Sequence, residues 1–129
     1  MLVSCSEESN EEPEGPPPNT TITITGATIS SGIAGNSLTL GESRTFKIIA
    51  KYNNGTDYTG PVTFDVEIYS GTMPASNTLF LPSLTVNADE YVTFTAPANT
   101  AVIYITATIG SSAPVRLFTG LNGGRININ

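Results

Sequence analysis

The stretch Ala101-Val102-Ile103-Tyr104-Ile105-Thr106-Ala107-Thr108-Ile109 decides the fold. Successive side chains of a strand point to opposite faces, so Ile103, Ile105, Ala107 and Ile109 look one way while Val102, Tyr104, Thr106 and Thr108 look the other. One apolar and one mixed face is the pattern of an antiparallel sheet that packs on a single side. The same texture recurs along the chain. Phe46, Ile48, Ala50 and Tyr52 alternate with the wet Thr45, Lys47 and Lys51. Val62, Phe64, Val66 and Ile68 alternate with Thr63, Asp65, Glu67 and Tyr69, and Val92, Phe94 and Ala96 with Tyr91, Thr93 and Thr95. Several amphipathic strands of this length predict an all-β sandwich.

Between these strands lie shorter pieces and turns. Thr20-Thr21-Ile22-Thr23-Ile24-Thr25 reads as a first strand with a polar outer face, and Gly26 after it permits a bulge. Ser30 to Ser37 is loop by composition, and Leu38-Thr39-Leu40 is a short strand running into a tight turn. Asn54-Gly55 has the residues a tight hairpin turn demands. Leu79-Phe80-Leu81-Pro82 is an edge-like strand cut by proline, after which Leu84 and Val86 continue the core. The last ten residues, ending Ile126-Asn127-Ile128-Asn129, are either an added edge strand or a frayed tail.

With 129 residues and 39% hydrophobic content, the chain can bury one core and not two. The formal charge of −6 is uneven: Glu7, Glu8, Glu11, Glu12 and Glu14 supply five of the eleven acids, and the body beyond them is near neutral. A phosphate-binding surface needs clustered Lys and Arg, and the five bases (Arg44, Lys47, Lys51, Arg116, Arg125) are scattered, so nucleic acid is not an expected partner. Histidine is absent and Cys5 is the single cysteine. That composition excludes His-based acid–base catalysis, Ser-His and Cys-His nucleophile pairs, His or Cys metal sites and an intrachain disulfide.

Two resemblances sharpen the reading. Leu40-Gly41-Glu42, then Tyr52-x-x-Gly55-x-x-x-Thr59, then Ile105-Thr106-Ala107-Thr108 ahead of Gly110, is similar to bacterial immunoglobulin-like domains of the kind repeated in adhesins. The likeness spans about residues 20–120 and differs where that family often has Trp, since Phe64 stands there. It implies an immunoglobulin-like antiparallel β-sandwich of about seven strands over residues 20–129. Leu2-Val3-Ser4-Cys5 resembles the lipobox of bacterial lipoproteins, in which the cysteine carries lipid after the signal peptide is cut. Only Met1 precedes it, so the resemblance implies a signal upstream of this sequence. Residues 1–19 then read as a lipobox remnant and an acidic, Pro-rich tether. Ser6-Glu7-Glu8 resembles acidic signals that send lipoproteins to the outer face of the outer membrane, or it is a merely solubilising tail. The expected address is the bacterial cell envelope, at the outer membrane or cell surface, anchored through Cys5.

Candidate chemistry is sparse. Asp65 and Glu67 share a strand face, but a sandwich face seldom offers the cleft that paired-carboxylate hydrolysis needs. Asp57, Asp89 and Glu90 sit in oxygen-rich loops without the ordered spacing of a calcium loop. No enzyme activity, metal or cofactor is therefore expected. In an immunoglobulin-like sandwich the strands at 62–69, 101–109 and 115–119 share one sheet, whose outward residues are Glu67, Tyr69, Tyr104, Arg116 and Phe118. Aromatics with a charged fringe suit a protein or sugar contact, although tyrosines also pave sheets by pairing across strands. The function expected is a non-enzymatic module that contacts a protein or surface polymer. The alternative is a carbohydrate-binding accessory module.

Overall fold

The computed structural model describes residues 21–32, 36–120 and 122–129. The expectations for Cys5 and the tether lie outside the described residues. Among the described residues ten strands follow in order: β1 (Ile22–Ser31), β2 (Ser37–Leu38), β3 (Ser43–Tyr52), β4 (Pro61–Gly71), β5 (Phe80–Leu81), β6 (Thr85–Asn87), β7 (Val92–Thr95), β8 (Ala101–Thr108), β9 (Val115–Arg116) and β10 (Ile126–Ile128). One sheet has the order β1-β3-β7-β5. The other runs β2-β10-β8-β4-β6, with β9 also paired to β8. All pairings are antiparallel except that of β2 with β10. This is an immunoglobulin-like sandwich.

Ten strands appear among the described residues where about seven were expected because three strands are split, one of them after Leu81, which leaves β5 beside β7 and β6 beside β4. The first changes sheets after Ser31, leaving β1 beside β3 and β2 beside β10. The last is interrupted by residues 117–125, so β9 lies along Thr106 and Ala107 while β10 lies along Ala101 to Ile103. The C-terminal stretch is therefore an inner strand and not a tail. Gly124 makes the return possible: its φ is +94°, and a Cβ there would meet the Leu117 carbonyl oxygen at 2.6 Å.

The core lies between the sheets and is built on phenylalanine. Phe46 meets Phe64 edge-on at 5.5 Å, Phe64 stacks on Phe80 at 5.7 Å, and Phe80 packs on Phe94 at 5.4 Å. Around them Ile103, Ile105, Ala107, Val62, Val92 and Leu38 are buried, as their alternation requires. Leu81 sits on the edge strand β5. Register is reinforced by hydroxyl pairs directly across strands: Thr45 with Thr93 at 2.8 Å, Ser43 with Thr95 at 2.9 Å and Thr63 with Thr85 at 3.1 Å.

One core assignment needs correction, and one core residue was not foreseen. Ile68 has the parity of Val62 and Phe64 but is 49% exposed, because β4 runs on past the end of its pairing with β6 at Thr63 and past the two-residue β5. Arg44 has the parity of Phe46 and is fully buried, its guanidinium carbon 4.8 Å from the centre of the Phe118 ring. Burial lowers its pKa, and the charge of Glu42 opposes that shift.

Candidate contact face

The outer face of the larger sheet gathers four of the five residues expected there. Register places Glu67 opposite Tyr104 and Arg116 opposite Thr106, so strands β4, β8 and β9 bring Glu67, Tyr104 and Arg116 together. Tyr69 is the extra residue of a bulge, since Ile68 pairs with Ile103 and Ser70 with Val102. The bulge re-aims its ring beside Tyr104, edge to face at 6.4 Å.

Two guanidiniums clamp these rings. Arg116 donates to both oxygens of Glu67, through Nε at 2.9 Å and a terminal nitrogen at 2.8 Å, and its guanidinium carbon lies 3.8 Å from the centre of Tyr104. Arg125, just after the Asn122–Gly124 turn, stands 4.2 Å from the centre of Tyr69. The nearby Tyr104 hydroxyl, ahead of Tyr69, is the leading cause of its raised pKa. The outcome is a ladder, Glu67–Arg116–Tyr104–Tyr69–Arg125, in which cations rest on aromatic faces. Arg125 was not among the residues expected there. Its signal in the sequence was a cation flanked by Gly123-Gly124 and the Ile126-Asn127-Ile128 alternation, legible only once that segment is placed beside β8.

One residue leaves the expected face, and another is covered on it. Phe118 is turned off it: β9 ends at Arg116, Phe118 has φ +59°, and its ring packs edge-on against Phe46 at 5.0 Å. Tyr104 does face outward but is only 7% exposed, because Arg116 covers it and Tyr69 abuts it. The exposed centre is Tyr69, at 59%.

The other carboxylates have separate local roles. Asp65 accepts from the Val66 backbone N–H at 2.7 Å and from the Ser76 hydroxyl, so it does not work as a pair with Glu67. Asp57 bonds Lys51 at 2.6 Å, and Glu90 accepts from the Asn87 N–H at 3.0 Å and so braces its turn. Among the described residues no three His, Cys, Asp or Glu side chains come together as a metal site would need.

The Glu67–Arg116 bond has a pH signature. Arg116 holds the Glu67 carboxyl below its ordinary value, chiefly by hydrogen bonding. A depressed carboxylate contributes stability above its unfolded pKa and loses it as pH falls through the folded one. The melting temperature should thus fall as pH drops below about 4, and Glu67→Gln should flatten part of that fall. The pair is exposed, so the effect is small, and parallel curves for both proteins from neutral to acid would contradict it.

Beside this face, a groove of about 910 Å³ separates β1 from the β9 segment. Ile24, Thr25, Gly26 and Ala27 line one wall, while Val115, Leu117 and Phe118 line the other.

Fold and face together define an immunoglobulin-like sandwich that carries a cation–aromatic ladder on one sheet. Comparison with family models, with curated proteins and with solved structures finds no match to the chain.

Proposed function

We propose that the chain is a non-enzymatic surface lipoprotein: the acidic segment tethers an immunoglobulin-like module, of the type repeated in bacterial adhesins, to the cell envelope through lipid on Cys5, and the module contacts a protein or surface polymer. The observation that carries this reading is Tyr69, an exposed ring already fixed by Tyr104 and Arg125. An aromatic held rigid before binding loses little conformational entropy on contact, and such residues are the usual hot spots of interfaces. The lipobox-like Leu2-Val3-Ser4-Cys5 and the Glu-rich, Pro-rich spacer support the address.

The test uses the chain expressed behind a lipoprotein signal and recovered from envelope membranes with its partners. Cys5→Ser should move the protein to the soluble fraction. Tyr69→Ala should keep it in the membrane but weaken capture by about thirtyfold, the equivalent of about 2 kcal/mol. A Cys5→Ser protein that stays in the membrane defeats the anchor, and undiminished capture by Tyr69→Ala defeats the face. An exposed ring beside a guanidinium also suits a sugar, so a carbohydrate-binding accessory module is the second reading. A glycan array separates the two, because only that module retains a glycan.

A further inference from the structure

β1 is an edge strand that lacks most of the usual defences of an edge. Among the described residues only β3 pairs with it. Natural edges carry Lys, Pro or inward charges that discourage another chain from adding on. Here no charged residue occurs between Glu14 and Glu42, and β1 itself reads Ile-Thr-Ile-Thr-Gly-Ala-Thr-Ile-Ser-Ser. Bulges at Thr25 and Ser30 do interrupt it, but they leave Ile22-Thr23-Ile24 in regular register with Tyr52, Lys51 and Ala50.

The direction of the backbone groups on that short run follows from two hydrogen bonds. The Thr21 carbonyl accepts from Asn53, so Thr21 and Thr23 turn their polar groups toward β3. The carbonyl of Ala50, opposite Ile24, is given to Tyr58 on the far side of β3, so the Ile24–Ala50 pair exchanges no ladder bonds. The N–H and C=O of Ile22 and Ile24 therefore point out of the sheet's edge. A groove of about 160 Å³ runs between Ile22, Thr23 and Ile24 and the turn at Ile109, Ser112 and Val115, and Thr23 is exposed at its rim, so the edge is open to approach.

We propose that this edge pairs with the same edge of a second copy of the chain, antiparallel about a two-fold axis through Thr23. Ile22 of one copy then faces Ile24 of the other and exchanges both hydrogen bonds with it, twice over by symmetry. Thr23 meets its own counterpart across a close, non-hydrogen-bonded pair. That places a Thr–Thr contact at the centre, the device that already registers Thr45 with Thr93 and Thr63 with Thr85 inside the fold. A second copy is the fitting occupant because the edge is self-complementary in pattern and uncharged, so identical chains meet without like charges across the seam. Three residues on each side bury far less than the area of a standard stable interface, so the association is weak and grows with concentration.

The test is sedimentation velocity and amide exchange on the full chain from about 10 μM to about 1 mM. The sedimentation coefficient should rise toward that of a dimer, and exchange at the Ile22 and Ile24 amides should slow only at the upper end. Thr23→Lys puts two cations opposite each other at the axis and should raise the dissociation constant at least tenfold, with the melting temperature unchanged. Thr28→Lys, equally exposed but beyond the first bulge, should leave the association as it was. A monomer at every concentration overturns the proposal. So does a dimer that ignores Thr23→Lys, or one in which the two amides stay fast.

Discussion

Phe46→Ala should lower the unfolding free energy by about 3–5 kcal/mol, as fully buried Phe-to-Ala changes do. Phe46 has no exposed surface and is the ring on which both ends of the core converge, meeting Phe64 from β4 and Phe118 from the segment after β9. Its removal leaves a cavity that neither sheet can close, since the flanking Ile48 and Arg44 are fixed by β3's pairing with β1 and β7. Phe118 then loses its main apolar partner, and residues 117–125 should loosen with it. Urea denaturation measures the first effect and amide exchange over 117–125 the second. Phe46→Leu keeps most of the volume and should cost less than half as much. A loss under about 1 kcal/mol for Phe46→Ala would mean that the two sheets are not joined through this ring.

Ile105→Ala should cost about 2–5 kcal/mol, because Ile105 is fully buried at the middle of β8, the strand that β4, β9 and β10 all pair with. Its neighbour Thr106 makes the informative contrast. Alternation alone assigns Thr106 to open solvent, yet it is buried on the outer face where β9 crosses it, opposite Arg116. Thr106→Ala should therefore cost about 1 kcal/mol, more than a free surface site and less than Ile105. Chemical denaturation of both variants settles the order. Equal losses would place the core on the wrong side of β8.

What the sequence made legible is what period-two alternation encodes. β7 and β8 have their expected inner residues, as do β3 from Phe46 to Ala50 and β4 at Val62 and Phe64, and strands near 62, 101 and 115 do share a sheet, because hydrophobic phase and turn residues are local signals. The misses are non-local. Arg44 shares the parity of Phe46, so phase alone would have placed it inside, but a cation is assumed wet until the Phe118 ring is known to lie against it. Phe118 shares the parity of Arg116, and only a positive φ two residues on turns it inward. Tyr104 was rightly put on the outer face, but its cover comes from Arg116 on β9 and from Tyr69, re-aimed by the bulge in β4, and neither contact is local to Tyr104 in the sequence. Where a chain doubles back between Leu117 and Arg125, alternation has no reach.

The position of β10 bears on synthesis as well as on architecture. It is the last strand of the sandwich to be made, yet it lies between β2 and β8, pairing Ile128 with Leu38 on one side and with Ala101 on the other. The pairing with Ala101 is fairly local, but that with Leu38 joins segments far apart in the chain, so its loop-closure cost falls late in folding and slows it. Until Ile126 and Ile128 emerge, the N-terminal half of β8 has no neighbour on that side, and Leu38 lacks its parallel partner strand. A nascent chain therefore stays open along that flank, and the sandwich closes only once Ile126 to Ile128 have emerged and threaded between β2 and β8.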